Sequence, residues 1–459
     1  MANSMNATER LGAFVARSAG AKLAPEVSSK AAICLLDALG LAVDARDERT
    51  AVAARAITTS IPDGAGTARL WATGARAVLS EAVMANGVAV HAHFQDDTDH
   101  DSWSHPGSLI VPVAASLGEA HDASLRTVLQ AIVAGYATMK WLGAGETVSR
   151  GLIGCGLRTS PTFGTIGAAA AAAVSLGLNT AQATNAIAIA ACTTGGTLEP
   201  VRCGSDEWRV QNGRAAQGGL LAAQLAEKGV LGAPDALEGP KGLLRSLAGL
   251  AETPDAWRTD PDPMTMVGIM AKPFATLGDN MSAAMAARLV HDDGLDLSRV
   301  KRITVAIWRP YTEYPGTSFK GPFVRTVQTQ ASTAFATAAM LIYGELGYDM
   351  GVEHREDPRI MALVEKTTII PDDEGSHLDA TVELEMDDGT CHRRTARESP
   401  PTLIFQDEPR ATEVLEERLS RAGLGAGSGR TLAAELFASA AEHGGLPIRA
   451  VIDRLTKIN

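Results

Sequence analysis

Residues 88–107 (VAVHAHFQDDTDHDSWSHPG) contain an unusual density of side chains that could transfer protons. Imidazole and carboxyl groups close together are a common means of general acid–base catalysis. A solvated acidic loop is the alternative interpretation. In a chain with only 20% charged residues, this segment holds four of the ten histidines and four aspartates: His91, His93, His100, His105, Asp96, Asp97, Asp99 and Asp101.

The flanking sequence predicts a helix on each side of this segment. Apolar residues between Val78 and Val88 follow a helical spacing that leads into it. Pro106 suits the first turn of a second apolar helix that follows His105. We therefore predict a helix–loop–helix junction that positions the acid–base groups.

A metal site was tested against the same residues. The tripeptide 91–93 (HAH) has a spacing found in some hydrolases, but there the motif follows a strand, whereas a helix is predicted here. The aspartates alternate as in a calcium loop, yet counting from Asp97 an EF-hand needs Gly and Glu where Ser102 and Ser108 stand. We predict no metal ligands, with a metal-dependent hydrolase using the cluster 91–105, through His100 and two aspartates, as the alternative.

The length, net charge and cysteine pattern of the whole chain limit the number of domains and the classes of partner that can be expected. Its 459 residues suffice for about three domains or two large ones. A net charge of −12 argues against nucleic acid or an anionic membrane as partner. The five cysteines are scattered and lack CxxC spacing, the N-terminal residues lack the apolar core of a signal peptide, and no segment is long and apolar enough for a membrane helix. These features predict a cytoplasmic protein.

The element pattern predicts a mainly α fold. The stretch 64–73 is expected to be a short strand or an extended crossing, and 151–161 a Gly-rich loop. Alternating β-branched strands at 300–308 and 379–386 flank a helix at 328–345, and helices return from 408. We predict a helical domain from residues 1–270 and 404–459, with a smaller α/β domain at 271–403. Further helices are predicted at 6–20, 27–45, 106–121, 124–143, 162–178, 180–192 and 212–227.

Several segments, in this order, resemble the MmgE/PrpD family, which includes 2-methylcitrate dehydratase, cis-aconitate decarboxylase and iminodisuccinate epimerase. The resemblance covers nearly the whole chain. It implies a large helical domain made of both chain ends, an α/β lid domain, a homodimer, and chemistry on a small organic acid without metal or organic cofactor. The segments are NGVAVHAHFQDDT, HPGSLIVPVAASLGEA, FGTIGAAAAAAVSLGL, GTLEP, NGRAAQGGLLAAQLAEKGVLGAPDALEGPKGLL and Lys272-Pro273-Phe274.

The resemblance also places functional positions, several of which are substituted. Asp96, Asp97, Thr98 and His105 match the family motifs. The first Asp of the family's DFDDT motif falls on Phe94, or on His93 if one residue is inserted. A family histidine falls on Arg158, a lysine on Trp208 with Arg209 beside it, a second histidine on Met281 and a lid tyrosine on Phe335.

Together these observations predict a lyase or isomerase that moves a proton at a carbon next to a carboxyl or carbonyl group. His105 is the predicted acid–base residue, with Asp96 or Asp97 as its partner. Either aspartate could instead cap a helix or form an ion pair, and His105 could only cap its helix. A non-catalytic homologue is a further alternative. The predicted substrate-binding residues are His93, Phe94, Thr98, Arg158, Trp208, Arg209, Lys272, Met281 and Phe335.

Overall fold

The computed structural model describes residues 5–63, 66–442 and 444–456. It divides into two compact units, one of residues 1–197, 209–270 and 406–459, the other of residues 198–208 and 271–405. The predicted mainly α fold with a smaller α/β part is confirmed. Among the described residues, no helix combines the length and apolar character that a membrane crossing requires.

The first unit is a helical assembly around one apolar core that draws on both ends of the chain. Helix α10 belongs to the second unit, as do Glu207 and Trp208 at the start of α11. In chain order the first twelve helices are α1 (Ala7–Ser18), α2 (Pro25–Asp44), α3 (Arg49–Ala56), α4 (Leu79–His91), α5 (Gly107–Ala120), α6 (Leu125–Gly143), α7 (Thr147–Gly154), α8 (Thr159–Ser175), α9 (Thr180–Thr193), α10 (Glu199–Cys203), α11 (Glu207–Glu227) and α12 (Leu243–Ser246).

The second unit is a four-stranded sheet with helices packed on it. The strand order is β4-β3-β5-β6, in which β3 is parallel to β4 and antiparallel to β5. The elements of this unit are α13 (Met281–Asp292), β3 (Val300–Trp308), α14 (Arg309–Glu313), α15 (Thr326–Ala331), α16 (Thr333–Tyr343), α17 (Met350–Glu353), α18 (Pro358–Lys366), β4 (Thr367–Asp372), β5 (Ala380–Met386) and β6 (Cys391–Thr395). Strands β1 (Thr67–Arg69) and β2 (Arg76–Val78) form a short antiparallel pair in the first unit. The first unit is completed by α19 (Glu408–Arg421), α20 (Ser428–Ala441) and α21 (Ile448–Thr456).

Three details of the predicted element pattern were wrong, and a fourth was confirmed in part. Strand β1 lies within the segment 64–73, which was predicted to be a short strand or an extended crossing, whereas β2 was not predicted; residues 64–65 lie outside the described residues. The predicted loop 151–161 contains the end of α7 and the start of α8. Helix α11 begins at Glu207, five residues before the predicted start. The predicted helix 328–345 is two helices, because Ser332 Oγ accepts a hydrogen bond from the Phe335 amide and starts a new one.

Candidate active site

The predicted helix–loop–helix junction is present: α4 ends at His91 and α5 begins at Gly107. Two glycines fix the end of α4 against α11 by close backbone approach. A Cβ on Gly87 would lie 3.0 Å from Gly213 Cα, and one on Gly213 would lie 2.4 Å from the Met84 carbonyl oxygen. The loop between α4 and α5 is therefore anchored on a closely packed helix pair.

A buried chain of hydrogen bonds starts from Asp96. His91 Nδ1 lies 2.8 Å and 2.9 Å from the two carboxylate oxygens of Asp96, and His91 Nε2 lies 3.1 Å from a terminal nitrogen of Arg158. The other terminal nitrogen of Arg158 donates to Gln211 Oε1 at 2.9 Å. The guanidinium can only donate, so His91 Nε2 accepts and Nδ1 carries the proton given to Asp96. Arg158, only 4% exposed, is thereby fixed between two partners.

His105 stands at the start of α5 with a defined tautomer. Its Nδ1 lies 3.1 Å from the backbone carbonyl oxygen of Asp97, an acceptor, so Nδ1 carries the proton. In the neutral ring, Nε2 then carries the lone pair that can take up a proton. The His105 amide donates to Ser160 Oγ at 3.1 Å, which ties the residue to the first turn of α8. The geometry suits a general base.

Asp97 is a buried carboxyl group beneath this histidine. Its Oδ1 accepts from the Gly107 amide at 2.7 Å and its Oδ2 accepts from the Tyr136 hydroxyl at 2.6 Å. Burial raises the pKa of Asp97 to about 7, although both of these hydrogen bonds lower it. A carboxyl group that titrates near neutrality can hold or release a proton under physiological conditions.

Phe94 completes a cluster of three rings with His91 and His105. The ring centroids are 5.4 Å apart for His91 and Phe94, 5.4 Å for the two histidines, and 5.3 Å for Phe94 and His105. Phe94 is 2% exposed and has a φ of 59°, a left-handed conformation that is unfavourable for a bulky side chain. The backbone is held in this conformation by its surroundings, and the phenyl ring makes the wall beside both imidazoles apolar.

Two other residues of the segment, Asp99 and Thr98, make contacts that hold the loop in place. Asp99 is 2% exposed; its carboxylate accepts from the Ser102 amide and hydroxyl, at 3.0 Å and 2.5 Å, and from Lys140. Burial opposes the Lys140 charge, but Asp99 and Asp101 raise the pKa of Lys140 above its usual value. Thr98 exchanges backbone hydrogen bonds of 2.8 Å and 3.0 Å with Met270. Within the described ranges, no three His, Cys, Asp or Glu residues are grouped as metal ligands.

Two other predicted residues lie against different partners. His93 Nδ1 is 3.6 Å from an oxygen of Asp44, at the end of α2. Arg209 is 2% exposed and its Nε donates to the Ala92 carbonyl at 2.8 Å, so it holds the backbone just after α4. A substrate-binding role for His93 and Arg209 stays a prediction.

A cavity of about 520 Å³ lies elsewhere in the first unit, between the ends of α2, α6, α19 and α20. Its lining includes Lys22, Glu26, Arg126, Glu408 and Phe437. None of the predicted site residues lines it. The acid–base cluster is therefore identified by its side-chain geometry and not by cavity size.

A profile of the MmgE/PrpD N-terminal domain matches residues 9–254, more than half of the chain. The chain belongs to the MmgE/PrpD family. A cis-aconitate decarboxylase-like protein, oryM, of Aspergillus oryzae is 27% identical over 369 residues, which cover 73% of this chain and 74% of that protein. Cis-aconitate decarboxylase of Homo sapiens is 31% identical over 160 residues, which cover 34% of this chain and 33% of that protein.

Four predicted positions of this MmgE/PrpD chain lie in the second unit and are buried. Trp208 is 0%, Lys272 1%, Met281 2% and Phe335 1% exposed. Lys272 Nζ donates to the Thr276 carbonyl oxygen at 3.3 Å. Phe335 packs edge-on against Phe323, with ring centroids 5.1 Å apart. Their role in substrate binding stays a prediction.

Sequence reasoning assigned no role to several residues that the MmgE/PrpD fold brings to the cluster. His91 was one of four histidines in the segment, and no spacing rule singles it out as the partner of Asp96 and Arg158. Tyr136 lies 39 residues from Asp97, on α6. Gln211 lies 53 residues from Arg158. Tyr136 is one of several polar residues in α6, so the sequence alone does not single it out.

Proposed function

We propose that this MmgE/PrpD protein is a lyase or isomerase that transfers a proton, without a cofactor, at a carbon next to a carboxyl or carbonyl group. The observation that carries the proposal is the His105 tautomer. Nδ1–H donates to the Asp97 carbonyl oxygen, so the lone pair that can accept a proton is on Nε2. The printed names of the two relatives, which are cis-aconitate decarboxylases or similar, support chemistry on a small organic acid.

In the proposed reaction, His105 Nε2 takes a proton from the acidic carbon and becomes an imidazolium. The electron pair of the broken C–H bond moves into the neighbouring carbonyl or carboxyl group. The guanidinium of Arg158, fixed by His91 and Gln211, stabilises the negative charge that develops there. The imidazolium then returns its proton to a carbon or to a leaving hydroxyl group.

We further propose that the substrate carries fewer charges than a tricarboxylate. Phe94, whose ring lies beside those of both His91 and His105, gives the base an apolar neighbour. Placing a charge in such surroundings without a partner costs several kcal/mol. An aromatic or alicyclic acid with a single carboxylate fits this environment, and 2-methylcitrate and cis-aconitate should be poor substrates.

A metal-dependent hydrolase is the alternative on the same cluster. Asp99, one of the aspartates beside His100, already accepts from Ser102 and from the ammonium group of Lys140, which disfavours a metal cation there. Both ring nitrogens of His91 are likewise engaged, one by Asp96 and one by Arg158. Metal analysis of protein purified without added metal separates the two proposals. Stoichiometric zinc, manganese or iron that is lost together with activity would favour the hydrolase.

The test is hydrogen–deuterium exchange at carbon, followed by proton NMR in D₂O. Mandelate, 2-phenylpropionate, 2-methylcitrate and cis-aconitate are each incubated with the enzyme. We expect loss of the α-proton signal for an aromatic acid, and a decrease of about 10²- to 10⁴-fold in its rate for His105→Gln. The control is His121→Gln, since His121 is an exposed residue at the end of α5.

Two results would contradict the proposal. One is exchange that persists unchanged in His105→Gln. The other, which concerns only the substrate class, is turnover of 2-methylcitrate or cis-aconitate at an ordinary enzymatic rate of about 10 per second.

A further inference from the structure

The cavity in the first unit has the size and the apolar surface of a small-molecule site. Its volume of about 520 Å³ lies within the range of roughly 300–1,000 Å³ that is usual for ligand pockets. It lies where α2, α6 and α19 begin and where α20 ends. Leu129, Phe437 and Ala440 are buried residues of its lining, at 1%, 9% and 8% exposure. The cavity can therefore accommodate an apolar group of a ligand.

Hydrogen bonds between distant parts of the chain hold the walls of this cavity in place. Ser28 Oγ donates to the Ala440 carbonyl oxygen at 3.2 Å, which ties the first turn of α2 to α20. The Arg126 amide donates to the Gly444 carbonyl oxygen at 3.2 Å. A Cβ on Gly444 would lie 2.7 Å from the Arg126 nitrogen, so glycine permits this close approach. The shape of the cavity is thus set by the fold of the first unit.

The charged side chains of the lining are balanced in sign but are not paired with each other. Lys22 and Arg126 are positive, and Glu26 and Glu408 are negative. Within the described part of the chain, none of the four forms an ion pair. Opposite charges that share a cavity without pairing are available to a ligand that carries both signs. The described lining has no net charge, which favours a zwitterion over an ion of one sign.

Glu408 and Arg126 are the two groups best suited to hold such a ligand. Ser29 Oγ donates to Glu408 Oε1 at 2.6 Å and orients the carboxylate, whereas Glu408 Oε2 has no hydrogen-bond partner among the described residues. The Arg126 guanidinium likewise makes no hydrogen bond in the described ranges, and its side chain is exposed to solvent. A guanidinium binds a carboxylate through two parallel hydrogen bonds, and a carboxylate accepts strong hydrogen bonds from an ammonium group.

We propose that this cavity binds an α-amino acid with an apolar side chain. Arg126 holds the carboxylate of the amino acid, Glu408 holds its ammonium group, and the apolar side chain lies against Leu129 and Phe437. The inference does not depend on the proposed function, because no residue of the acid–base cluster lines the cavity.

The test is calorimetric titration of the full chain with L-phenylalanine and L-leucine. Two comparison ligands each lack one charge: 3-phenylpropionate has no ammonium group, and 2-phenylethylamine has no carboxylate. We expect each comparison ligand to bind about tenfold more weakly than L-phenylalanine, because one charge-assisted hydrogen-bonded contact is lost.

Two variants separate the contacts of the two charges. Arg126→Gln should weaken L-phenylalanine binding about tenfold and leave the affinity for 2-phenylethylamine unchanged, since that ligand has no carboxylate. Glu408→Gln should weaken L-phenylalanine binding by a similar factor and leave the affinity for 3-phenylpropionate unchanged. The matched controls are Arg258→Gln and Glu417→Gln, which change exposed residues that do not line the cavity and should not affect binding.

Amide hydrogen exchange locates the ligand independently of affinity. L-Phenylalanine should slow exchange in residues 21–29 and 126–130, which border the cavity, and should leave residues 88–107 unchanged. This readout distinguishes the cavity from the acid–base cluster.

The inference is overturned if neither amino acid binds at millimolar concentration, or if 3-phenylpropionate or 2-phenylethylamine binds as tightly as L-phenylalanine. Wild-type affinity for L-phenylalanine in Arg126→Gln or in Glu408→Gln would also overturn it. Slower exchange in residues 88–107, without a change in 21–29, would place the ligand at the acid–base cluster and refute the assignment to the cavity.

Discussion

Replacing Asp97 by asparagine should change how the stability of the protein depends on pH. Burial raises the pKa of Asp97 from 3.8 to about 7. Between these values the native protein holds a proton that the unfolded chain has already released, so the Asp97 contribution to stability falls as the pH rises. Below pH 3.8 the contribution is fully present, and above about pH 7 it is lost.

The size of the effect follows from the two pKa values. They differ by about 3 pH units, and each unit corresponds to about 1.4 kcal/mol, which gives a total loss of about 4 kcal/mol. The amide oxygen of Asp97→Asn can accept from Gly107 as Asp97 Oδ1 does, and its NH₂ group can donate to the Tyr136 oxygen, but the amide cannot ionise. The variant should therefore gain about 1.4 kcal/mol relative to the wild type for each pH unit between 4 and 7.

Urea unfolding of both proteins at pH 4.5, 5.5, 6.5, 7.5 and 8.5 measures this difference. Every other titrating group is common to the two proteins, so the difference in unfolding free energy isolates Asp97. A difference that stays constant across the series would show that Asp97 ionises normally in the folded protein. A difference that shrinks as the pH rises would show that folding lowers the pKa of Asp97 and does not raise it.

Three further predictions concern packing, charge and assembly. Gly107→Ala should destabilise the protein by about 1–3 kcal/mol in urea unfolding, because its Cβ would lie 2.9 Å from Asp97 Oδ1; Gly154→Ala, where a Cβ meets open space, should not destabilise it. Lys140→Met should cost about 3–5 kcal/mol by leaving buried Asp99 without its cation, whereas Arg202→Met, in an exposed pair, should cost less than about 1 kcal/mol. Light scattering at micromolar concentration should give twice the chain mass of 47.8 kDa, and a monomer mass would contradict the predicted homodimer.

Periodicity in the sequence predicted the long helices well, because their buried faces repeat regularly. The helix predicted from residue 78 to 90 is Leu79–His91. The loop predicted at 151–161 failed because glycine was taken as a signal for a turn. Gly151 is instead needed for packing inside α7, where a Cβ would lie 2.5 Å from the Ala248 carbonyl oxygen. A single sequence does not distinguish these two reasons for a glycine.

In the four-stranded sheet, the two strands that were not predicted, β4 and β6, are those at its edges. β4 contains Pro371, and β6 (CHRRT) is largely polar, so neither shows the alternation of a half-buried strand. Both features are usual at sheet edges, where one side of the strand has no neighbouring strand to pair with.

At the candidate site, the sequence located the cluster but not its pairings. It placed His105 and the aspartates in one junction, which the structure contains. The partner of each group depends on distant elements: Arg158 reaches His91 from α8, and Tyr136 reaches Asp97 from α6. Such contacts depend on how the helices pack, which cannot be predicted from the spacing of residues along the sequence.

The left-handed backbone at Phe94 bears on how easily this protein could change its chemistry. That conformation costs most residues about 1–2 kcal/mol, but aspartate adopts it more readily than phenylalanine. The family resemblance places an aspartate here, or at His93 if one residue is inserted, and the left-handed backbone at Phe94 suits an aspartate. Phe94→Asp would relieve this backbone strain and would place a carboxylate beside the imidazole rings of His91 and His105. The backbone conformation would therefore favour a substitution that makes the site more polar.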